Sequence, residues 1–232
     1  MLFPGLSMAQ NKLVDEKSRP INKPNLKLES DLMTPEALWA FGRLSGQEVS
    51  PDGKTVMFGV SYYSIEQNKG NRELYTIDEN AESSRQITHS AKSEFNAVWR
   101  PDGEKIGFLT SEGGSVQFWE MNPDGSERTQ VSNFDGGVSG FKYSPDQSKI
   151  LYTKEIPIEN KFPDLYEGLP MASGKLMDDL MYRHWDHWVE SYSHVFYADF
   201  KDGKIQNDKD IMEGEPYHAP LSPFGGIEQI NW

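Results

Sequence analysis

The sequence contains no cysteine, which excludes disulfides, thiolate metal sites and cysteine nucleophiles but does not choose a compartment. Basic residues are scarce. Lys and Arg number 23 against 36 Asp and Glu, a formal net charge of −13, and no basic patch offsets the excess. Such a surface repels polyanions, so nucleic acid is excluded as a partner. Long apolar runs are missing too. Nothing approaches the ~20 residues that a membrane helix needs, and no membrane partner is expected.

What is present is aromatic and turn-rich: Phe, Trp and Tyr make up 12% of the chain, with 20 Gly and 14 Pro. The chain opens on MLFPGLSMAQNK, where Ser7-Met8-Ala9 has the small-x-small form that signal peptidase cuts. Residues 1–9 are therefore expected to be the remnant of an export signal, which implies a periplasmic or secreted protein. Residues 10–32 are polar and aperiodic, a linker or lead-in. A short helix should follow in MTPEALWAFG. There Thr34 can cap, Pro35 suits the first helical position and Glu36 suits the positive end of the dipole. Leu38, Trp39 and Phe41 form its apolar side, and Gly42 is placed to stop it.

From there the chain repeats. Ser50-Pro51-Asp52-Gly53, Arg100-Pro101-Asp102-Gly103 and Ser144-Pro145-Asp146-Gln147 are versions of one turn, their prolines 50 and 44 residues apart. Proline presets φ, Asp bonds the local backbone, and the last position accepts the left-handed conformation. LSGQEV, FNAVW and SGFKY precede these turns; KTVMFGVSYY, EKIGFLTSE and SKILYTKE follow them. A second turn in each repeat, including Asn122-Pro123-Asp124-Gly125 and Lys201-Asp202-Gly203, completes four short strands. The aspartates in these turns are explained by turn chemistry and are not catalytic candidates. Trp99, Tyr143 and Trp232 stand just before real or expected turns and should pack between sheets.

Four strands per unit of about 40–50 residues is the signature of propeller blades. The expected fold is thus all-β: a partial β-propeller over residues 33–232, with about three four-stranded antiparallel blades. GIEQINW, aligned with FNAVW, supplies the first strand of a fourth. A ring normally closes with about 4–8 blades, so the chain reads as part of a larger protein, able to self-associate through open blade edges. A partly helical insertion, residues 155–192 with a helical stretch near 175–182, interrupts the third blade. Insertions of that length commonly carry function.

TPEALWAF running into RLSGQEVSPDGKTVMFGV, the Pro-Asp-Gly blades and LMYRHWDHWVESYSHVFYADF together resemble the N-terminal propeller of prolyl oligopeptidase family serine peptidases. The dipeptidyl-peptidase and acylaminoacyl-peptidase branch is the nearest; the blades alone also resemble TolB-like propellers. The resemblance implies a C-terminal α/β-hydrolase partner domain that carries the triad, its serine in a Gly-x-Ser-x-Gly elbow. Here the nearest string, Gly137-Val138-Ser139-Gly140-Phe141, lacks the last glycine and precedes a strand pattern. No catalytic residue is assigned and no cofactor is implied. The chain would cover the hydrolase domain, limit access to short peptides and lend side chains to the substrate pocket. A stand-alone periplasmic TolB-like propeller that binds protein or ligand is the alternative.

The insertion motif consists of Tyr182, Arg183, His184, Trp185 and Asp186, with His194 downstream. His184, His187 and His194 suggest a metal. The absence of a His-Glu-x-x-His pattern and the flanking tryptophans favour an aromatic, hydrogen-bonded segment, and no metal ligand is assigned. Arg183 is expected to hold Asp186 or a hydrolase-domain carboxylate. Glu190, with Trp188 beside it, is the substrate-binding candidate, because a peptide's free ammonium calls for a projecting carboxylate.

Overall fold

In the computed structural model, residues 19–82, 84–159, 168, 171, 174, 176, 177, 183–185, 187–221 and 224–232 are described. The expected export-signal remnant, Tyr182, Asp186 and most of the 175–182 stretch lie outside them. The chain divides into two compact units between Asp135 and Gly136.

Helix α1 is Pro35–Ala40, with Thr34 accepting from the Ala37 N–H at 3.2 Å as its cap. Its expected apolar side is not buried: Leu38, Trp39 and Phe41 are exposed, and Ala37 is the residue that packs inward. Six residues are too few to bury a stripe. Trp39 instead meets the edge of Tyr63 at 5.6 Å, with the Arg43 guanidinium over both rings. Gly42 does not act as a left-handed stop. Phe41 ends the helix by turning extended, and Gly42 leaves room for Val60 and Tyr62, which a β-carbon would meet at 2.7 and 2.9 Å.

The rest is β-sheet. The first unit holds two four-stranded antiparallel sheets. One comprises β1 (Arg43–Val49), β2 (Thr55–Ser64), β3 (Lys69–Asp78) and β4 (Ser84–Gln86), paired in that order. The other comprises β5 (Phe95–Trp99), β6 (Ile106–Thr110), β7 (Gln117–Met121) and β8 (Thr129–Gln130). The second unit holds β9 (Gly140–Tyr143), β10 (Lys149–Pro157), β13 (Ser191–Lys201) and β14 (Lys204–Asp210), also paired consecutively, and a hairpin of β11 (Arg183–His184) and β12 (His187–Trp188). These are propeller blades, and the repeated turns close their first hairpins alike. Gly53, Gly103 and Gln147 take φ of 75°, 76° and 59°. Each donates its N–H three residues back, to Ser50, Arg100 and Ser144, at 2.8 to 2.9 Å.

The first unit's core joins Met57 and Leu74 of one blade to Ile106, Phe108 and Met121 of the next, with Trp99 and Trp119 against it. Each such fully buried side chain contributes roughly 1.5–3 kcal/mol relative to exposure. In the second unit Tyr152 stacks on Phe196 at 5.3 Å, and Tyr143 contacts Phe141 and Phe200 edge-on.

A repeated polar lock closes each blade's outer edge. The first residue of the lock precedes Leu74, Phe118 or Val195, whose carbonyls accept from Ile87, Val131 and Ile211 at 2.9 to 3.1 Å. In the first blade Glu73 accepts from the Thr88 hydroxyl at 2.6 Å and the Ser90 N–H at 3.0 Å. In the second, Gln117 accepts from Ser132 at 2.6 Å and the Phe134 N–H at 3.1 Å. In the third, where Met212 offers no hydroxyl, His194 bonds Asp210 at 2.8 Å and the Glu215 carbonyl at 3.0 Å.

Two expectations near the C-terminus are corrected. Residues 226–232 form a 3-10 turn, Ile227–Gln229, rather than a strand. Local bonds prevail over the strand-like pattern: Gln229 donates its N–H to the Gly226 carbonyl at 3.0 Å and accepts from Leu221 through its side chain at 2.8 Å. Trp232 is exposed at 44% and is not a blade-packing residue.

Candidate functional site

The longest hairpin of the second unit builds the site. β10 and β13 pair from Lys149↔Asp199 out to Pro157↔Ser191, and the Ile158 N–H donates to the Glu190 carbonyl at 2.8 Å. This register brings Glu155 opposite Ser193 and sets Glu190 at the mouth of the hairpin. β11 and β12 supply His184 and His187 as a facing pair, their rings 6.3 Å apart and inclined by 27°. The opposite wall is residues 218–220, tied to β13 twice. The Ala219 N–H donates to the Ser193 carbonyl at 2.7 Å, and the Ser193 N–H donates to His218 Nδ1 at 3.1 Å.

Between these walls lies a cavity of about 390 Å³, lined among others by Glu155, Glu190, His184, His187, Trp188 and His218. Its lining also includes Ser139 and Thr153, whose hydroxyls bond each other at 2.8 Å. Ser191 donates to Glu155 Oε2 at 2.6 Å, holding that carboxylate's orientation. Burial pushes the His218 imidazole below the usual histidine range, against the pull of the Glu155 charge. Two carboxylates, an indole face and hydroxyls within one concavity suit a small cationic or ammonium-bearing ligand with a short polar backbone. Among the described residues no group of three or more His, Asp or Glu is arranged to hold a metal.

The sequence candidates separate. Glu190, Trp188 and His184 line the cavity together. Arg183 donates to the Trp185 carbonyl at 3.0 Å and lies over the Trp188 ring at 5.0 Å; its expected partner Asp186 is outside the described residues. Trp185 is exposed and meets the edge of Phe224 at 5.2 Å. His194 belongs to the blade lock and not to the cavity. Sequence reasoning missed Glu155 and His218. The first reads as an ordinary strand residue and the second sits in GEPYHAP with no motif. Strand register joins Glu155 to Glu190, and the bonds to Ser193 bring in His218.

The arrangement of consecutive four-stranded sheets with like turns defines the chain as a β-propeller protein. Residues 38–164 match the TolB beta propeller domain, and the chain belongs to that family. It is 46% identical over 200 residues to dipeptidyl-peptidase 5 of Porphyromonas gingivalis, covering 86% of this chain and 29% of that protein. The dipeptidyl-peptidase 5 of Porphyromonas endodontalis is 36% identical over 202 residues, with 87% and 29% covered. The Pyrococcus horikoshii acylaminoacyl peptidase structure superposes with a TM-score of 0.55 at 15% identity, over 74% of this chain and 26% of that one. The chain thus spans less than a third of the length of the peptidases it matches.

Proposed function

We propose that this chain is the non-catalytic propeller segment of an exported serine peptidase of the dipeptidyl or acylaminoacyl type. In this reading it covers an α/β-hydrolase partner domain, limits access to short peptides, and receives the peptide's amino terminus in the cavity of the third blade. The observation that carries the reading is the 46% identity to a dipeptidyl-peptidase across 86% of the chain. The cavity supports it, since Glu155 of β10 and Glu190, just before β13, offer an ammonium two carboxylates. Trp188 adds an aromatic face able to attract a cation.

Calorimetry with alanyl-alanine and its N-acetyl derivative tests the site. The free amine should bind at least about tenfold tighter, and E190Q or E155Q should each remove that preference, because a charge-assisted hydrogen bond contributes about 1.5–3 kcal/mol. Equal binding of both peptides would refute it.

A further inference from the structure

We infer that His218 is a proton-operated latch on the cavity wall: neutral, it holds residues 218–220 against β13, and protonated, it releases them. The inference rests on the cavity being the amino-terminal site proposed above, and it concerns how that site is regulated. The geometry is specific about the proton. Because Nδ1 accepts the Ser193 N–H at 3.1 Å, the neutral ring must carry its hydrogen on Nε2. When Nδ1 takes a proton from solvent it becomes a donor, and it then faces another donor. Ser193 is 8% exposed, so its N–H has little water to turn to. A buried unpaired N–H is costly, and the wall must move. The backbone bond from the Ala219 N–H to the Ser193 carbonyl stays in place on that wall.

The groups facing His218 set the direction of the response. Glu155 on β10, His184 on β11 and, from the far face of β13, His194 act on it through charge, and the Tyr192 ring lies edge-on at 5.4 Å. His187 and Glu190 share the same cavity. Burial holds His218 neutral below the ordinary histidine range, so its folded form binds the proton less readily than the unfolded chain does. The latched wall is therefore complete at neutral pH and loses stability as pH falls. Glu155 strengthens the outcome. Once charged, the imidazolium acts on that carboxylate as a counter-ion and competes with a ligand's ammonium for it. Acid should thus open the wall and expel a cationic ligand at once, while neutral pH closes the wall and frees Glu155.

The test uses the 232-residue chain between pH 8 and pH 5, a range in which ordinary carboxylates stay charged. Nitrogen NMR of the imidazole should show the Nε2–H tautomer at pH 8 and a titration midpoint below 6.5. Amide exchange at Ser193, corrected for its intrinsic rate, should lose protection as pH falls from 6.5 toward that midpoint, by up to about tenfold per pH unit, and level off below it. H218N places a permanently neutral acceptor at the Nδ1 position and should leave Ser193 protection flat. An Nδ1–H tautomer, or equal loss of protection in wild type and H218N, overturns the latch. Alanyl-alanine binding should weaken in step with Ser193 protection in wild type, and binding unchanged from pH 8 to pH 5 likewise overturns it. If the dipeptide fails to bind even at pH 8, the amino-terminal reading falls instead, and Ser193 protection alone decides the latch.

Discussion

Replacing Glu73 by glutamine should flatten the pH dependence of stability near neutrality. Glu73 is 2% exposed and Glu94 is fully buried, so two carboxyl groups share a dry pocket at the junction of the first two blades. Arg128 pairs with Glu94 at 2.9 Å, but it also serves Glu112 at 2.7 Å. Among the described residues Glu73 receives only neutral donors: Asn71 at 2.7 Å, the Thr88 hydroxyl and the Ser90 N–H. Burial first, and then the neighbouring Glu94 charge, push the Glu73 carboxyl up to about 7. A protonated Glu73 carboxyl would be a donor to Glu94, whose Oε2 has no hydrogen-bond partner among the described residues. The sign follows from linkage. Below the ordinary glutamate value of 4.5 both folded and unfolded forms are protonated and nothing is lost. Between 4.5 and about 7 the unfolded chain releases its proton first, so stability falls as pH rises, and above 7 the loss is complete. At ~1.4 kcal/mol per unit, the whole loss is roughly 3 kcal/mol. Glutamine keeps an acceptor for Asn71 and Ser90 and presents a fixed N–H toward Glu94, without a charge to bury. Urea unfolding at intervals from pH 5 to pH 8 should therefore show wild type losing about 3 kcal/mol more than E73Q across the range. Parallel curves, within the error of the extrapolation, would refute a shared buried proton.

The remaining predictions concern backbone room and the blade lock. Gly125 has φ of +87°, and a β-carbon there would press into the Ile87 backbone carbonyl, which cannot swing aside. G125A should cost about 2–4 kcal/mol in urea unfolding, whereas G53A, at φ of +75° with open space around it, should cost about 1 kcal/mol. Equal costs would show that the contact with Ile87 does not matter. H194A removes the partner of Asp210 and of the Glu215 carbonyl, and should lower stability by about 3 kcal/mol. Added zinc should leave the wild-type thermal midpoint unchanged, and a zinc-dependent rise abolished by H194A would contradict the structural role.

Local chemistry was legible in the sequence and long-range register was not. The turn at Ser144 could be read because all of its determinants lie within six residues. Ser144 bonds Asp146 at 2.7 Å, the Ser148 N–H bonds Asp146 at 3.1 Å, and the Lys149 N–H bonds Ser144 at 2.9 Å. The cap at Thr34 is equally local. Residues 226–232 show the opposite limit. Their apolar spacing imitates a first strand, but strand pairing needs a partner edge, and the Gln229 bonds to Gly226 and Leu221 organise the segment instead. Glu155 and Glu190 are far apart in sequence, and nothing short of the Pro157↔Ser191 register reveals that they share a cavity.

The histidines show why sequence proximity misleads in a β-rich chain. His184, His187 and His194 fall within eleven residues and read together as a cluster of ligands. In an extended strand, successive side chains point to opposite faces, so a single step along β13 separates a cavity residue from a core one. Ser191 and Ser193 line the cavity, while His194 turns to the other side and occupies the place that Glu73 and Gln117 hold in the earlier blades. The repeat therefore accounts for His194, as it accounts for the turn aspartates. What the repeat does not account for is the β10–β13 extension past Thr153, the β11–β12 hairpin and the 218–220 wall. Those three departures converge on one cavity. In a protein made of like sheets, the places where the likeness fails are where a ligand has something particular to recognise.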